Sequence, residues 1–494
     1  MYSNWLTCSV RISRFTFVTV VATVALAVAA PTDAPLIDAV KKADLEHVRA
    51  LIATGVDVNT AGADGTTALH WAVHRDDVAS GAALIAAGAD VNLANRFGAM
   101  PLALASENGS VAFIEVLLEA GANPNAATPE GETVLMTVAR TGRADAVRLL
   151  LEHGATPNLA EGWRGQTALM WAAAENNLAA ANVLLAGGAN VHARSSGGFS
   201  PLMFAVRAGH RDMARRLVDA GASPEETLLD GTSALVLAAK NGHYELGAFL
   251  LDAGADPDAD DQGWTALHEI KWTRRPNLGY NNPPPIITGD MSALDFIRAL
   301  AAHGANLDVR MRKEPNNRYR NVLNRVGSTP FLLAAKAADV EMMRLLVELG
   351  ADALLPNEDG TTPLMVAAGV GIWAVGESPG TNAEALDAVK YALELGDNVT
   401  TIDDNGDTAL HGAIIRGWEP LVRFLLDQGA DLDAVNEKGW TPLRIAKGVF
   451  YSNTGKRWPE IETLLLELGA DESLVTGADN TISDWTAEAA GDVR

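Results

Sequence analysis

A glycine recurs in this chain at a nearly fixed interval, and that interval constrains the fold more than any other feature. The segments it opens read GTTALHWA, GAMPLALA, GETVLMTV, GQTALMWA, GFSPLMFA, GTSALVLA, GWTALHEI, GSTPFLLA, GTTPLMVA, GDTALHGA and GWTPLRIA. Their first residues are Gly65, Gly98, Gly131, Gly165, Gly198, Gly231, Gly263, Gly327, Gly360, Gly406 and Gly439. The spacing is 32 to 34 residues, apart from one gap of 64 and one of 46. A second marker follows each glycine by about 23 residues: GADVN at Gly88, GANPN at Gly121, GATPN at Gly154 and GADLD at Gly429. An earlier GVDVN at Gly55 closes a first unit, PLIDAVKKADLEHVRALIATGVDVN, which makes twelve units.

Within a unit the apolar residues fall at helical spacing, as Val138, Ala139, Val147, Leu150 and Leu151 do. Two short helices cannot bury such faces alone, so neighbouring units must bury them jointly in a stack. The glycine of the exit marker suits a helix C-cap, and the Asp or Asn beside it suits the turn that follows. The Thr or Ser two residues after ten of the eleven opening glycines is placed to cap the first helix.

The 33-residue period, the T-[AP]-L-H run at His70, His268 and His411, and the G-A-D-x-N exit resemble ankyrin repeats over residues 34–471. The resemblance implies an all-α ankyrin-repeat solenoid of about twelve helix-turn-helix units with β-hairpin fingers. It also implies a concave binding face made of finger residues and first-helix ends. On that face it places Phe97, Trp163, Phe199, Trp264, Trp272 and Trp440, with Trp71 and Trp171 inside their first helices. The histidines of the T-x-L-H run are expected to bond to neighbouring backbone.

The expected organisation is a signal peptide at 1–29, an N-terminal capping repeat at 30–64, regular repeats at 65–262, repeats with inserted loops at 263–471, and a tail at 472–494. The insertions follow from the failed spacing: 274–290 between two helices, 311–325 in the following finger, then 370–382 and 448–459, again between helices. They carry or border Trp272, Tyr280, Trp373, Phe450, Tyr451 and Trp458. Pro283, Pro284 and Pro285 stiffen the first. Either these loops pad the edge of the stack, or they form a partner-binding cluster on one face.

Charge marks the same region. The chain has net charge −24, yet Lys271 to Arg325 holds Lys271, Arg274, Arg275, Arg298, Arg310, Arg312, Lys313, Arg318, Arg320 and Arg325 against four carboxylates. One reading is internal neutralisation by neighbours such as Glu358 and Asp359. The other is a site for an anionic group, with Arg274, Arg275, Arg318, Tyr319 and Arg320 as its contacts. The overall acidity argues against a nucleic-acid partner.

The first residues have the pattern of an export signal: Arg11 and Arg14, the apolar run Phe15–Ala30, and Ala27-Val28-Ala29 as a cleavage site. A periplasmic or secreted protein of a bacterial envelope is expected, with no transmembrane span after cleavage; an uncleaved anchor is the alternative. Cys8 is the one cysteine, so stability must come from stacking. No catalytic constellation, cofactor motif or metal motif emerges. Asp258, Asp260, Gln262, Gly263 and Glu269 imitate a calcium loop, but Gly263 is already a repeat glycine and the register explains the match. The expected function is a non-enzymatic scaffold for a protein or peptide partner. The alternative is an enzyme or small-ligand-binding protein whose anion pocket is built from the inserted loops.

Overall fold

The computed structural model of the protein describes residues 35–276, 285–315, 323–372, 379–449 and 457–475. These residues form twenty-four α-helices, paired as the repeat spacing predicts, and one short 3-10 helix at Glu472–Leu474. The chain divides into two compact units, Met1–Asp90 and Val91–Arg494.

In the first unit the helices are Pro35–Lys41, Leu45–Ala53, Ala68–His74 and Val78–Ala86. Leu36, Ile37, Val40, Val48, Leu69, Val73 and Leu84 are buried between them. Asp44 and Asp77 cap the two outer helices by accepting from His47 N and Ser80 N. Asn59 ties the two repeats together: its Nδ2 donates to the Gly88 carbonyl at 3.1 Å and its Oδ1 accepts from Asp90 N at 2.7 Å.

The second unit repeats this arrangement ten times. First helices pack on first helices and second helices on second helices of the neighbouring repeats. Leu, Ala and Val fill the layers between them, with Phe113, Tyr244, Phe296 and Phe331 among the large buried rings. A Thr or Ser occupies the N-cap of nine of the ten first helices, from Thr133 to Thr441; Met100 is the exception and has no side-chain bond there. The second helices end on glycines such as Gly154, whose φ of 91° lets Ala155 N reach the Leu150 carbonyl at 2.8 Å.

The three T-x-L-H histidines bond as expected. Nδ1 of His268 meets Thr265 Oγ1 at 3.0 Å and accepts from Thr265 N at 3.2 Å. Its Nε2 donates to the Ser328 carbonyl of the next repeat at 3.2 Å. His411 joins Thr408 to the Trp440 carbonyl in the same way, and His70 pairs with Thr67. Burial lowers the pKa of His268 to about 4 and also lowers that of His411.

The fingers differ from the expected hairpins. Among the described residues they contain no strand, only isolated bridges at Ala61–Thr67, Ala127–Thr133, Ala160–Thr167 and Thr227–Ser233. Each finger is too short to extend a ladder; it closes on itself in a turn, as where Thr128 N donates to the Glu132 carbonyl at 2.9 Å, and in several fingers one further amide reaches the adjacent finger. Gly162 N donates to the Glu130 carbonyl, Ser196 N to Arg164, Glu358 N to Val326, Asp404 N to Asp359 and Glu437 N to Asn405, at 2.7 to 3.0 Å. The corresponding residue in another finger is Pro129, which has no N–H to give.

The 64-residue gap resolves into two interruptions. Helix Ala266–Arg274 is separated from its partner Ala293–Ala302 by the first of them. The described end of that segment folds back on the preceding repeat. There Thr288 Oγ1 meets His243 Nδ1 at 2.8 Å, Ile287 covers Gly242, and Asp290 N donates to Glu245 at 2.8 Å. The second interruption lengthens a finger, in which Met311 N donates to the Ser328 carbonyl and Arg312 N to Gly263. The remaining two lie between Pro363–Ala368 and Asn382–Glu394, and between Pro442–Lys447 and Pro459–Glu467. No helix of the described residues is long and apolar enough to cross a membrane.

Candidate functional site

In a stack of helix pairs, the side chains free to meet a partner are those the stacking does not use. On the fingers of the second unit these are large and apolar. Phe97, Trp163 and Leu229 are 77%, 75% and 80% exposed, and they alternate along the first five fingers of that unit, before Gly98, Gly165 and Gly231. A finger is a turn held by its own polar groups, so its tip has no core in which to bury a ring. Glu161 shows how the turn is held: the buried carboxylate accepts from Trp163 N, Arg164 N and Gln166 N at 2.7 to 3.0 Å. Burial pushes its pKa up, but these amides outweigh it and the net shift is downward.

Arginines accompany the finger aromatics. Arg164 lies over the Trp163 ring at 4.2 Å. Arg207, the ninth residue after Gly198, lies in the last turn of helix Pro201–Ala208. Its guanidinium lies 4.9 Å from the Phe199 ring centre and 5.1 Å from Phe204. Two repeats earlier, Arg140, the ninth residue after Gly131, lies 5.2 Å from the Trp171 ring of the intervening repeat. Arg194 donates to the Gly198 and Thr227 carbonyls at 2.9 Å each and so links two fingers. The exposed Phe97 and Trp163 were legible from the repeat register. Leu229, Arg164 and Arg207 were not, because an exposed leucine or arginine carries no mark in the sequence.

The other expected aromatics are partly spent on the fold. Trp264 donates from Nε1 to Glu269 at 2.6 Å, and the Glu269 carboxyl, buried beneath it, has its pKa raised by that burial. Trp272 carries Lys271 Nζ over its ring at 3.4 Å and Arg325 at 5.5 Å. Trp440 donates from its backbone N to Asn436 Oδ1 at 3.0 Å and has Lys438 at 5.0 Å. Trp458 lies flat on Gly417, where any side chain would collide with its ring. Tyr280, Arg318, Tyr319, Arg320, Trp373 and Tyr451 lie outside the described residues.

The described cations of 271–325 meet this chain's own acceptors, although not the expected pair Glu358 and Asp359. Arg274 binds Asp339 through Nε at 2.6 Å and a terminal nitrogen at 2.8 Å, and reaches Glu341 at 3.1 Å. Arg275 pairs with Glu384 at 2.9 Å, and its hydrogen bond leads the causes that hold that carboxyl at about 2. Arg312 binds Asp260, and Arg325 binds Glu314. Arg310 donates to the Gly327 and Pro356 carbonyls, and Asp359 accepts from Asn324 at 2.7 Å. An anion from solution would have to displace these carboxylates. The calcium-like residues are also dispersed: Asp258 accepts from Asn306 N, Asp260 holds Arg312 and Glu269 faces Trp264.

A recess of about 60 Å³ sits among the later fingers, lined by Asp359, Asp403, Asp407, His411, Asn436 and Trp440 among others. It has room for a few waters only. Its polar groups bond to one another: Asp403 accepts from Thr361 Oγ1 at 2.9 Å, and Asp407 from Asn436 Nδ2 at 2.8 Å. The larger hollow, of about 480 Å³, is on the second-helix side, between Arg211, Arg215, Phe249 and Met291.

Comparison with known proteins agrees with this geometry. The family model "Ankyrin repeats (3 copies)" matches residues 36–128, 80–161, 102–195, 159–228, 202–271 and 380–471, and the single "Ankyrin repeat" model matches 326–358. The matches pass over 272–325 and 359–379, where three of the four interruptions lie; the fourth falls within 380–471. Ankyrin repeat and SOCS box protein 16 of Homo sapiens is 34% identical over 210 residues, 42% of this chain and 40% of that protein. Protein phosphatase 1 regulatory subunit 27 of Homo sapiens is 36% identical over 87 residues, 18% of this chain and 52% of that protein. The chain thus spans about half or less of the length of these relatives. Among solved structures, the human ASB11 ankyrin repeat domain is 29% identical, with 45% of this chain and 99% of that one covered at a TM-score of 0.40. With the family model matching more than half of its residues, the chain belongs to the ankyrin-repeat family.

Proposed function

We propose that the protein is a non-enzymatic binding scaffold that holds a protein or peptide partner along its finger face. The observation that carries this reading is the row of exposed apolar fingertips, Phe97, Trp163 and Leu229. Large apolar groups held in water on a rigid support are costly unless a partner covers them, and they mark interaction surfaces. The preorganised stack lowers the ordering cost of binding. Aromatic and arginine anchors of the kind found here carry a disproportionate share of binding energy. The pairing of Arg274 and Arg275 with carboxylates of the chain favours a scaffold over an anion pocket in the inserted segments.

The experiment compares the full chain with the triple variant Phe97→Ser, Trp163→Ser, Leu229→Ser. The expected result is loss of partner recovery at unchanged helicity and melting temperature. Undiminished recovery by the variant contradicts the reading.

We also propose that the chain is exported, supported by Arg11, Arg14 and the apolar run Phe15–Ala30. Mass spectrometry of the N-terminus of the protein from its native cells tests this. A mature start near Ala30 is expected, and recovery of the intact N-terminus from the cytosol contradicts it.

A further inference from the structure

The last three fingers share a pattern. Ahead of Gly360, Gly406 and Gly439 stand Pro356-Asn357-Glu358, Ile402-Asp403-Asp404 and Val435-Asn436-Glu437. The middle residue of each is buried and holds the turn. Asn357 Oδ1 accepts from Thr361 N at 2.7 Å, and Asp403 Oδ1 from Asn405 N at 3.0 Å and Asp407 N at 2.9 Å. Asn436 Oδ1 accepts from Lys438 N and Trp440 N at 3.0 Å each. Its neighbours are left to face solvent. Ile402 and Val435 are 59% and 51% exposed, and Leu354 is exposed in the first of the three fingers. Glu358, Asp404 and Glu437 are exposed beside them. Four earlier fingers hold Ala94 and Arg96, Ala127 and Pro129, Arg194 and Ser196, and Thr227 and Leu229 at the outer positions. None of these pairs combines a large apolar side chain with an acid.

Hydrogen bonds lock these fingers in register. Glu358 N donates to the Val326 carbonyl at 3.0 Å, Asp404 N to Asp359 at 2.8 Å and Glu437 N to Asn405 at 2.9 Å. The three carboxylates therefore form one row across consecutive fingers, and the apolar side chains form a second row beside it. Among the described residues, none of these three carboxylates forms an ion pair or accepts a hydrogen bond. The cations at hand are engaged elsewhere. Arg310 donates to the Gly327 and Pro356 carbonyls, Arg325 holds Glu314, and Lys438 lies 5.0 Å from the Trp440 ring. An apolar row held in water marks an interaction surface, and the acidic row beside it sets the charge of the partner that fits.

We propose that this face docks a basic amphipathic helix of a protein partner. Its apolar stripe covers Leu354, Ile402 and Val435, and its lysines or arginines meet Glu358, Asp404 and Glu437. The repeat distance selects a helix. A finger is two chain segments wide, so the rows advance about 10 Å per finger. An extended partner covers that distance in about three residues, which turns successive contact side chains to opposite faces. A helix covers it in about seven residues, and two turns bring the side chain back to the same face. This surface is separate from the row Phe97, Trp163 and Leu229, and the scaffold reading of that row does not depend on it.

The test is selection, on phage, of helical peptides with one randomised face against the full chain and against a surface without protein. Selected peptides are then titrated against the full chain, Glu358→Gln/Asp404→Asn/Glu437→Gln and Ile402→Ser/Val435→Ser. A control makes the same charge change on the second helices, Glu115→Gln/Glu152→Gln/Asp219→Asn. All these side chains are exposed, and melting temperatures confirm that the proteins fold alike. The expected peptides carry Lys or Arg beside aliphatic residues at a seven-residue spacing. Their affinity should fall at least tenfold on each finger variant and stay unchanged on the control. An equal loss on the acidic finger variant and the control means attraction by net charge alone and overturns the surface. Affinity unchanged on the finger variants, enrichment without basic residues, or no enrichment above the protein-free surface overturns it as well.

Discussion

Arg274 closes on Asp339 with two hydrogen bonds of 2.6 and 2.8 Å, and this pair reverses the polarity used elsewhere in the stack. In three consecutive regular repeats of the second unit a donor at the start of the second helix reaches back to the carbonyls that end the first helix of the preceding repeat. Asn177 donates to Ala139 and Arg140, His210 to Ala174, and His243 to Arg207. Asp339 holds that position after the interruption and can only accept. The chain answers with an arginine at the end of helix Ala266–Arg274 that reaches forward. Asp339 is fully buried and also caps its own helix by accepting from Met342 N. Arg274→Ala leaves a buried carboxylate without its counter-charge, and we expect a loss of about 3 kcal/mol, the scale for breaking such a pair. Urea unfolding of Arg274→Ala and of Arg274→Met/Asp339→Asn checks this. The double variant should recover part of the loss, and a single variant as stable as the parent contradicts the role.

A second link between repeats is the asparagine of the exit marker. Asn125 Nδ2 donates to the Gly154 carbonyl at 3.2 Å, and its Oδ1 accepts from Thr156 N at 2.7 Å. Asn92 and Asn158 repeat the pattern. Asn125→Ala should cost about 1 kcal/mol, the usual net worth of such bonding, and speed hydrogen exchange at Thr156. Asn125→Asp keeps the acceptor, so it should retain protection at Thr156 while still losing stability. Equal exchange rates in all three proteins would sink this account.

The buried histidines make stability depend on pH. The unfolded chain takes up a proton at His268 near its ordinary value of about 6.5, whereas the folded chain does so only at about 4. Protons therefore favour the unfolded state throughout that window, and stability is lost as pH falls from about 6.5 to 4. His268 alone accounts for up to about 3 kcal/mol, and His411 acts in the same direction. Unfolding midpoints across this range should decline on acidification, with a shallower decline in His268→Gln. A variant whose pH dependence matches the parent contradicts the assignment.

Arg416 is a buried guanidinium whose acceptors among the described residues are the carbonyls of Ala367 and Ala368, both at 3.3 Å. Burial lowers its pKa to about 10, so at neutral pH the fold carries the unfavourable charge in full. The two carbonyls lie at the end of helix Pro363–Ala368, where positive charge is favourable. The two effects oppose each other, and Arg416→Met should leave the melting temperature unchanged or higher, while Arg416→Glu should lower it sharply. A loss above roughly 2 kcal/mol in Arg416→Met, beyond the net value of two hydrogen bonds, means that the carbonyl contacts dominate.

The helix pairs, their caps and the sites of interruption could be read from the sequence because each depends on local spacing. Thr265 and His268 are three residues apart, and that distance alone places them in one capping box. The choice of ion-pair partners could not be read. Arg274 finds Asp339 and Arg275 finds Glu384 because stacking brings distant positions side by side, and no local pattern records it. The fingers were read as hairpins; they close on themselves in turns, with isolated bridges in place of a ladder among the described residues. On the fingers, the aromatic rings were visible in the repeat register. The exposure of Leu229 and the stacking of Arg207 depend on how neighbouring repeats meet.

The most direct test of the scaffold reading is site-specific photo-crosslinking in native cells. A benzophenone side chain is placed at Trp163 or Leu229 on the fingers, and at Arg215 or Phe249 on the second-helix side as controls. The account predicts a discrete crosslinked partner from the finger positions and none from the controls. The same partner captured from Arg215 or Phe249, with the finger positions silent, would contradict it.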